Sequence, residues 1–172
     1  MSDQRIEAGV ALLQTPQAGF TRPNNTTAYA VGNLVANSAT PGSVVPMIFN
    51  LGGCNGIGMV RRARIAKSGT TATNSQLRLH LYSLNPSTIG NGDGGAWSTN
   101  TSGYIGSLSL PAQMGRVFTD GCEDIALPDS GSELIFNNAG PDPTLYGLLE
   151  ARAAYTPAAQ EVFAVTLEIV QL

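Results

Sequence analysis

The chain has 172 residues, enough for one domain with a core of its own and no metal or disulfide staples. Only 12% of them are Asp, Glu, Lys or Arg, against about 25% in ordinary globular domains, while 42% are hydrophobic, which excludes a disordered chain. The net charge is −3, with one lysine, Lys67, against eight arginines; that excludes a broad nucleic-acid-binding surface, which needs many clustered cations. The apolar runs are far too short to span a membrane. The start, MSDQRIEAGVALLQT, has neither the long apolar run nor the cleavage site of a signal peptide. Solubility rests on Ser, Thr and Asn instead of ions. Such a surface suits contact with other protein, because few charges must be stripped of water.

Residues 1–40 read as an irregular, extended arm. The segment TPQAGFTRPNNTTAYAVGNLVANS sets Phe20, Tyr29, Leu34 and Val35 among turn formers, too often interrupted for a helix. The surface under the arm is either its own domain or a neighbouring subunit. From residue 41 to 172 the pattern is that of one β-domain. SVVPMIFN (43–50) puts Val45, Met47 and Phe49 on one side, and Pro46 marks an edge strand or a bulge. GMVRRARIAKSG (58–69) puts Met59, Ala63 and Ile65 on one face and Val60, Arg62, Arg64 and Ala66 on the other, with Arg61 interrupting the more apolar one. LRLHLYS (77–83) alternates without a slip: Leu77, Leu79 and Leu81 against Arg78, His80 and Tyr82. In GYIGSLSLP (103–111), Ile105 falls opposite Leu108 and Leu110, which predicts a register break near Gly106. SELIFNN (132–138) is a short apolar strand. LYGLLEARAAY (145–155) is open to a helix or a strand; the short connection to the next segment favours a strand. EVFAVTLEIVQL (161–172) points Phe163, Val165, Leu167 and Ile169 to one side. Short strands, Gly- and Pro-rich loops and no long helix predict an all-β, antiparallel β-sandwich, jelly-roll-like, of roughly eight strands.

Few residues invite chemistry. His80 is the only histidine; no GxSxG or catalytic Cys context accompanies it, so it reads as a polar residue on a strand face. Asp93 in NGDGG and Asp120, Glu123 and Asp124 in DGCED lack the ligand spacing of a calcium loop. Cys54 and Cys122, with one His in the chain, make no zinc pattern. The reading has no catalytic residue, no cofactor and no metal. Trp97 either pins the long loop 85–103 onto the sheet or offers an exposed platform to a sugar. Arg61, Arg62 and Arg64 form the one basic cluster, too small for nucleic acid and suited to carboxylates of a protein interface.

FTRPNNTTAYAVGNLVANS (20–38), RRARIAKSG (61–69), LRLHLYSLNPS (77–87), NGDGGAWS (91–98) and AYTPAAQEVFAVTLEI (154–169) together resemble a group of tailed-bacteriophage virion proteins of the capsid decoration or cement type. The resemblance implies a structural protein, not an enzyme, on the capsid exterior. It implies the major capsid protein and copies of itself, in a symmetric homo-oligomer, as partners; charge and apolar-run length leave no nucleic acid and no membrane among them. The residues expected at such a protein interface are Phe20, Arg22 and Tyr29 in the arm and Arg62 and Arg64 on the basic strand. The alternatives are a carbohydrate-binding β-sandwich module of a phage tail or fibre, using Trp97, and a hydrolase using His80 or an acid pair.

Overall fold

The computed structural model describes residues 13–52, 56–86, 89–138 and 143–171. Among them are twelve strands and no helix. In chain order they are β1 (Leu13–Gln14), β2 (Gln17–Thr21), β3 (Leu34–Val35), β4 (Met47–Asn50), β5 (Gly56–Lys67) and β6 (Leu77–Tyr82). The rest are β7 (Tyr104–Ser109), β8 (Arg116–Val117), β9 (Cys122–Pro128), β10 (Leu134–Asn138), β11 (Thr144–Ala151) and β12 (Val162–Gln171). All pair antiparallel along the open path β1-β12-β5-β9-β7-β6-β11-β3, with β2 beside β12, β4 beside β11, β10 beside β5 and β8 beside β9. Strand β9 changes partner midway: Cys122 to Ala126 pair with β5, then Leu127 and Pro128 with β7.

Alternation decides what is buried. Phe163, Val165, Leu167 and Ile169 of β12 lie in one apolar cluster with Val60, Ala63 and Ile65 of β5. The same cluster takes Leu77, Leu79 and Leu81 of β6, Leu145, Leu149 and Ala151 of β11, and Met47 and Phe49 of β4. LYGLLEARAAY thus resolves as a strand. Its opposite face is also covered. Leu148 and Tyr82 form a second cluster with Leu34, Ala36, Val44 and Ile89, against which Trp97 and Tyr146 pack. Residues 89–97 of the connection between β6 and β7 therefore lie folded on the sheet. Gly92 permits its close approach: a Cβ there would stand 2.2 Å from the Ala39 carbonyl oxygen.

Two bulges re-aim side chains. Between β6 and β7 the register shifts after Leu81, leaving Ile105 unpaired beside Gly106 at φ +152°, where the sequence predicts a break. In β5 the shift falls opposite Glu168 and Ile169. Arg61 is the extra residue. It exchanges the faces of everything before it, so Val60 is buried and Met59 is turned outward, the reverse of plain alternation. The same slip sets Arg61 and Arg62 side by side on the outer face, both exposed. Val45 is likewise exposed, because strand geometry begins only at Met47.

Residues 13–36 of the predicted arm lie across the chain's own sheet. Strands β1 and β2 pair with β12, Tyr29 bridges Tyr155, and β3 pairs with β11; residues 1–12 fall outside the described residues. Buried polar groups fix the arm. Asp93, in the loop, accepts from Arg22 Nη2 at 2.7 Å, from the Tyr29 hydroxyl at 2.5 Å and from the Ala36 amide at 2.9 Å. Arg22 also donates through Nε to the Tyr29 hydroxyl, and its guanidinium lies 5.0 Å from the Tyr29 ring centre. Tyr29 stacks on Tyr155 at 6.0 Å. Beyond it the pattern repeats. Lys67 Nζ lies 4.9 Å from the Tyr155 ring centre and 3.0 Å from Glu161 Oε1, and the Tyr155 hydroxyl donates to Glu161. Lys67 also donates to the Gly69 and Thr71 carbonyls at 3.1 and 2.7 Å. Both ion pairs are sealed, their side chains 0–1% exposed. Burial, reinforced by the neighbouring carboxylates, pushes both phenols well above their ordinary range, so they remain protonated donors.

Removing one partner of a buried pair strands the other and costs about 3–5 kcal/mol, whereas replacing both with apolar groups costs far less. Asp93→Ala should therefore lower the unfolding free energy by about 3–5 kcal/mol in urea titrations. The double variant Arg22→Met/Asp93→Leu should lose less than Asp93→Ala alone. An unchanged midpoint for Asp93→Ala would contradict this assignment.

Candidate functional site

Two polar surfaces carry the residues that the sequence singles out. On the first, β6 turns Arg78, His80 and Tyr82 to one face, opposite Ser109, Ser107 and Tyr104 of β7 and Glu150, Leu148 and Tyr146 of β11. His80 is only 8% exposed. Its Nε2 lies 2.9 Å from Glu150 Oε2, its Nδ1 lies 3.2 Å from the Tyr104 hydroxyl, and the Trp97 ring centre is 4.1 Å from its own. Glu150 is itself held by Arg152 at 3.0 Å and Arg78 at 3.6 Å. Burial holds the imidazole below its usual pKa even though the Glu150 hydrogen bond opposes the shift, so the ring is neutral at pH 7. A neutral ring has one N–H, and a carboxylate accepts only; Nε2 is therefore the donor to Glu150, and Nδ1 accepts from Tyr104.

Both ring nitrogens are thus occupied from within the chain. Ser107, directly across from His80, donates instead to Asp129 at 2.5 Å, and Arg78 Nε sits 3.0 Å from the same carboxylate. A relay from serine to histidine to acid is not assembled at this pair. Trp97 is half-buried with one ring face on His80, so it offers at most its other face to a sugar. Among the described residues no group of three His, Cys, Asp or Glu side chains converges. Cys122 is a buried free thiol; Cys54 lies outside the described residues.

The five expected interface residues separate. Arg22 and Tyr29 are each 2% exposed and bonded to Asp93; they are internal, and present nothing to a partner in this fold. Phe20 is half-buried, stacked on Phe163 at 5.5 Å. Arg62 and Arg64 lie on the outer face of β5, more than half exposed.

That outer face is the second surface. Cross-strand pairing brings Leu13, Val170, Met59 and Ile135 into one row over β1, β12, β5 and β10. Leu13 is 62% and Ile135 67% exposed. Next to this row the bulge gathers Arg61 and Arg62 over Glu168, at 3.8 and 2.6 Å. Arg64 and Arg116 share Glu123, each at 3.8 Å. No protein-family model matches the chain, and no curated protein matches it in sequence. Arg62 and Arg64 are the two residues of this surface that the sequence singles out; Arg116, Met59 and Ile135 join them only through strand pairing, and the doubled arginine at Arg61–Arg62 is the one signal of a bulge in the sequence.

The buried imidazole has a pH consequence. Its folded pKa lies below the unfolded value of 6.5. Between the two values the unfolded chain binds the extra proton, so the contribution of His80 to stability is whole above about pH 6.5 and is lost as pH falls. The urea midpoint should fall from about pH 7 to about pH 5 in the wild type and fall less in His80→Gln. Equal slopes in the two proteins would contradict a buried neutral imidazole.

Proposed function

We propose that this protein is a structural component of a tailed-bacteriophage particle, which decorates the capsid exterior and stabilises it through non-covalent contacts with capsid subunits and with copies of itself. The observation that supports it most is the outer face of β5, where an apolar row, exposed at Leu13 and Ile135, borders Arg61 and Arg62, with Arg64 and Arg116 beyond them. Exposed apolar groups beside arginines are the makings of a protein interface. The low charge content removes much of the desolvation cost of such contact. The resemblance of five sequence segments to decoration proteins points the same way. In this reading the fold is a jelly-roll-like β-sandwich. Inward residues of β5 and β12 share a cluster with those of β6 and β11, as two packed sheets require, and β9 serves as the strand that passes between them.

The mechanism is stabilisation by contact. Apolar area removed from water contributes about 25 cal/mol per Å² before association costs are subtracted. Repetition over equivalent sites then turns modest single contacts into firm attachment. The arm has an internal part in this: Asp93 and β12 hold it against the chain's own sheet.

Purified protein mixed with shells of the parent phage that lack it should co-sediment at a fixed ratio and raise the temperature at which the shells come apart. Protein that remains in the supernatant at saturating concentration would overturn the reading.

A further inference from the structure

The four arginines of the outer face outnumber what lies beneath them. Arg61 and Arg62 share Glu168, Arg64 and Arg116 share Glu123, and the arginine side chains are 53–57% exposed while the two glutamate side chains are 21–22% exposed. Each guanidinium carries five N–H donors. Among the described residues, the one hydrogen bond they make is Arg62 Nε to Glu168 Oε2 at 2.6 Å; the other three ion contacts are long, at 3.8 Å. Half of the chain's eight arginines are thus gathered on one face of a protein whose net charge is −3.

The shape around them is divided. A groove of about 480 Å³ is lined by Arg61, Arg62, Leu127, Ser132, Glu133 and Glu168, so two carboxylates share it with the two guanidiniums. A second, of about 190 Å³, is lined by Arg62, Arg64, Arg116, Ile125, Thr166 and Glu168. Arg62 is common to both. Side chains on one face of an extended strand repeat at about 7 Å, which is also the spacing of Arg62 and Arg64.

We propose that this face docks an extended acidic segment of a partner protein, with carboxylates on alternate residues, one in the groove between Arg61 and Arg62 and the next between Arg62, Arg64 and Arg116. The inference rests on the reading above and gives the partner's chemistry. The β5 bulge is what makes it work: without the extra residue, Arg61 and Arg62 would point to opposite faces. Guanidinium forks match carboxylates in two-point contacts. Ile125 and Leu127 supply apolar walls for the intervening side chains. A single-stranded nucleic acid fits less well, because no aromatic ring lines either groove and base stacking gives such complexes much of their energy.

The test uses the whole protein and three probes: a short peptide alternating Glu and Val, the same peptide with Gln for Glu, and an oligothymidylate. Fluorescence anisotropy should show binding of the Glu peptide, weakened about tenfold in Arg62→Gln/Arg64→Gln and weakened further by salt. The Gln peptide should not bind. Thermal unfolding of the variant should match the wild type, since both side chains are exposed. Absence of binding by the Glu peptide, equal binding by the variant, or tighter binding of oligothymidylate would each overturn the inference. Peptide binding without shell binding would instead discard the capsid reading and leave the acidic-segment site intact; shell binding without peptide binding would do the reverse.

Discussion

The rest of the structure hangs on a buried line of charge and aromatic rings: Asp93, Arg22, Tyr29, Tyr155, Glu161 and Lys67. Two sealed ion pairs sit at its ends and two stacked tyrosines at its middle. Buried ion pairs are seldom a source of net stability, since desolvation offsets much of the attraction. What they provide here is specificity of placement. Asp93 has three donors to satisfy it, from Arg22, Tyr29 and Ala36 of the arm. The arm, the covering loop and the end of β12 are thus fixed relative to one another by groups that cannot be left unpaired.

That constraint has a bearing on the surface. With residues 89–97 and the arm packed down, one face of β6 and β11 is covered. Among the described residues nothing covers the outer face of β5 and β12, and it carries both the apolar row and the unevenly paired arginines. A bulge of one residue converts an alternating strand into this surface. It turns Met59 out, Val60 in, and two consecutive arginines to the same side. Local backbone irregularity, global pairing and the proposed contact are therefore one feature seen at three scales.

Much of the fold was legible because alternation is a local property. The faces of β6 and β12 and the break at Gly106 follow from residue spacing within each strand, whereas the spacing in β11 also fitted a helix. Pairing partners did not follow, because register depends on strands far apart in sequence. Plain alternation assigned Met59 and Val60 to the wrong faces, since nothing in a single strand announces where its partner will skip a residue. Arg22 and Tyr29 looked like surface residues of an arm. Their acceptor, Asp93, lies 71 and 64 positions away in a loop that reads as solvated, and only tertiary structure joins them. Lys67 was invisible for the same reason: the lone lysine is buried on Glu161, 94 positions on. Arg62 and Arg64 were legible as a basic strand face, whereas Arg116 reached it only through the pairing of β8 with β9.

The most direct measurement is a density map of the intact particle at a resolution that orients each copy. The outer face of β5, with Arg62, Arg64 and Ile135, is expected at the contact with a shell subunit, against carboxylates of that subunit. Copies that turn this face to solvent and meet the shell through the loop around Trp97, or a particle with no density for the protein at all, would contradict the central claim.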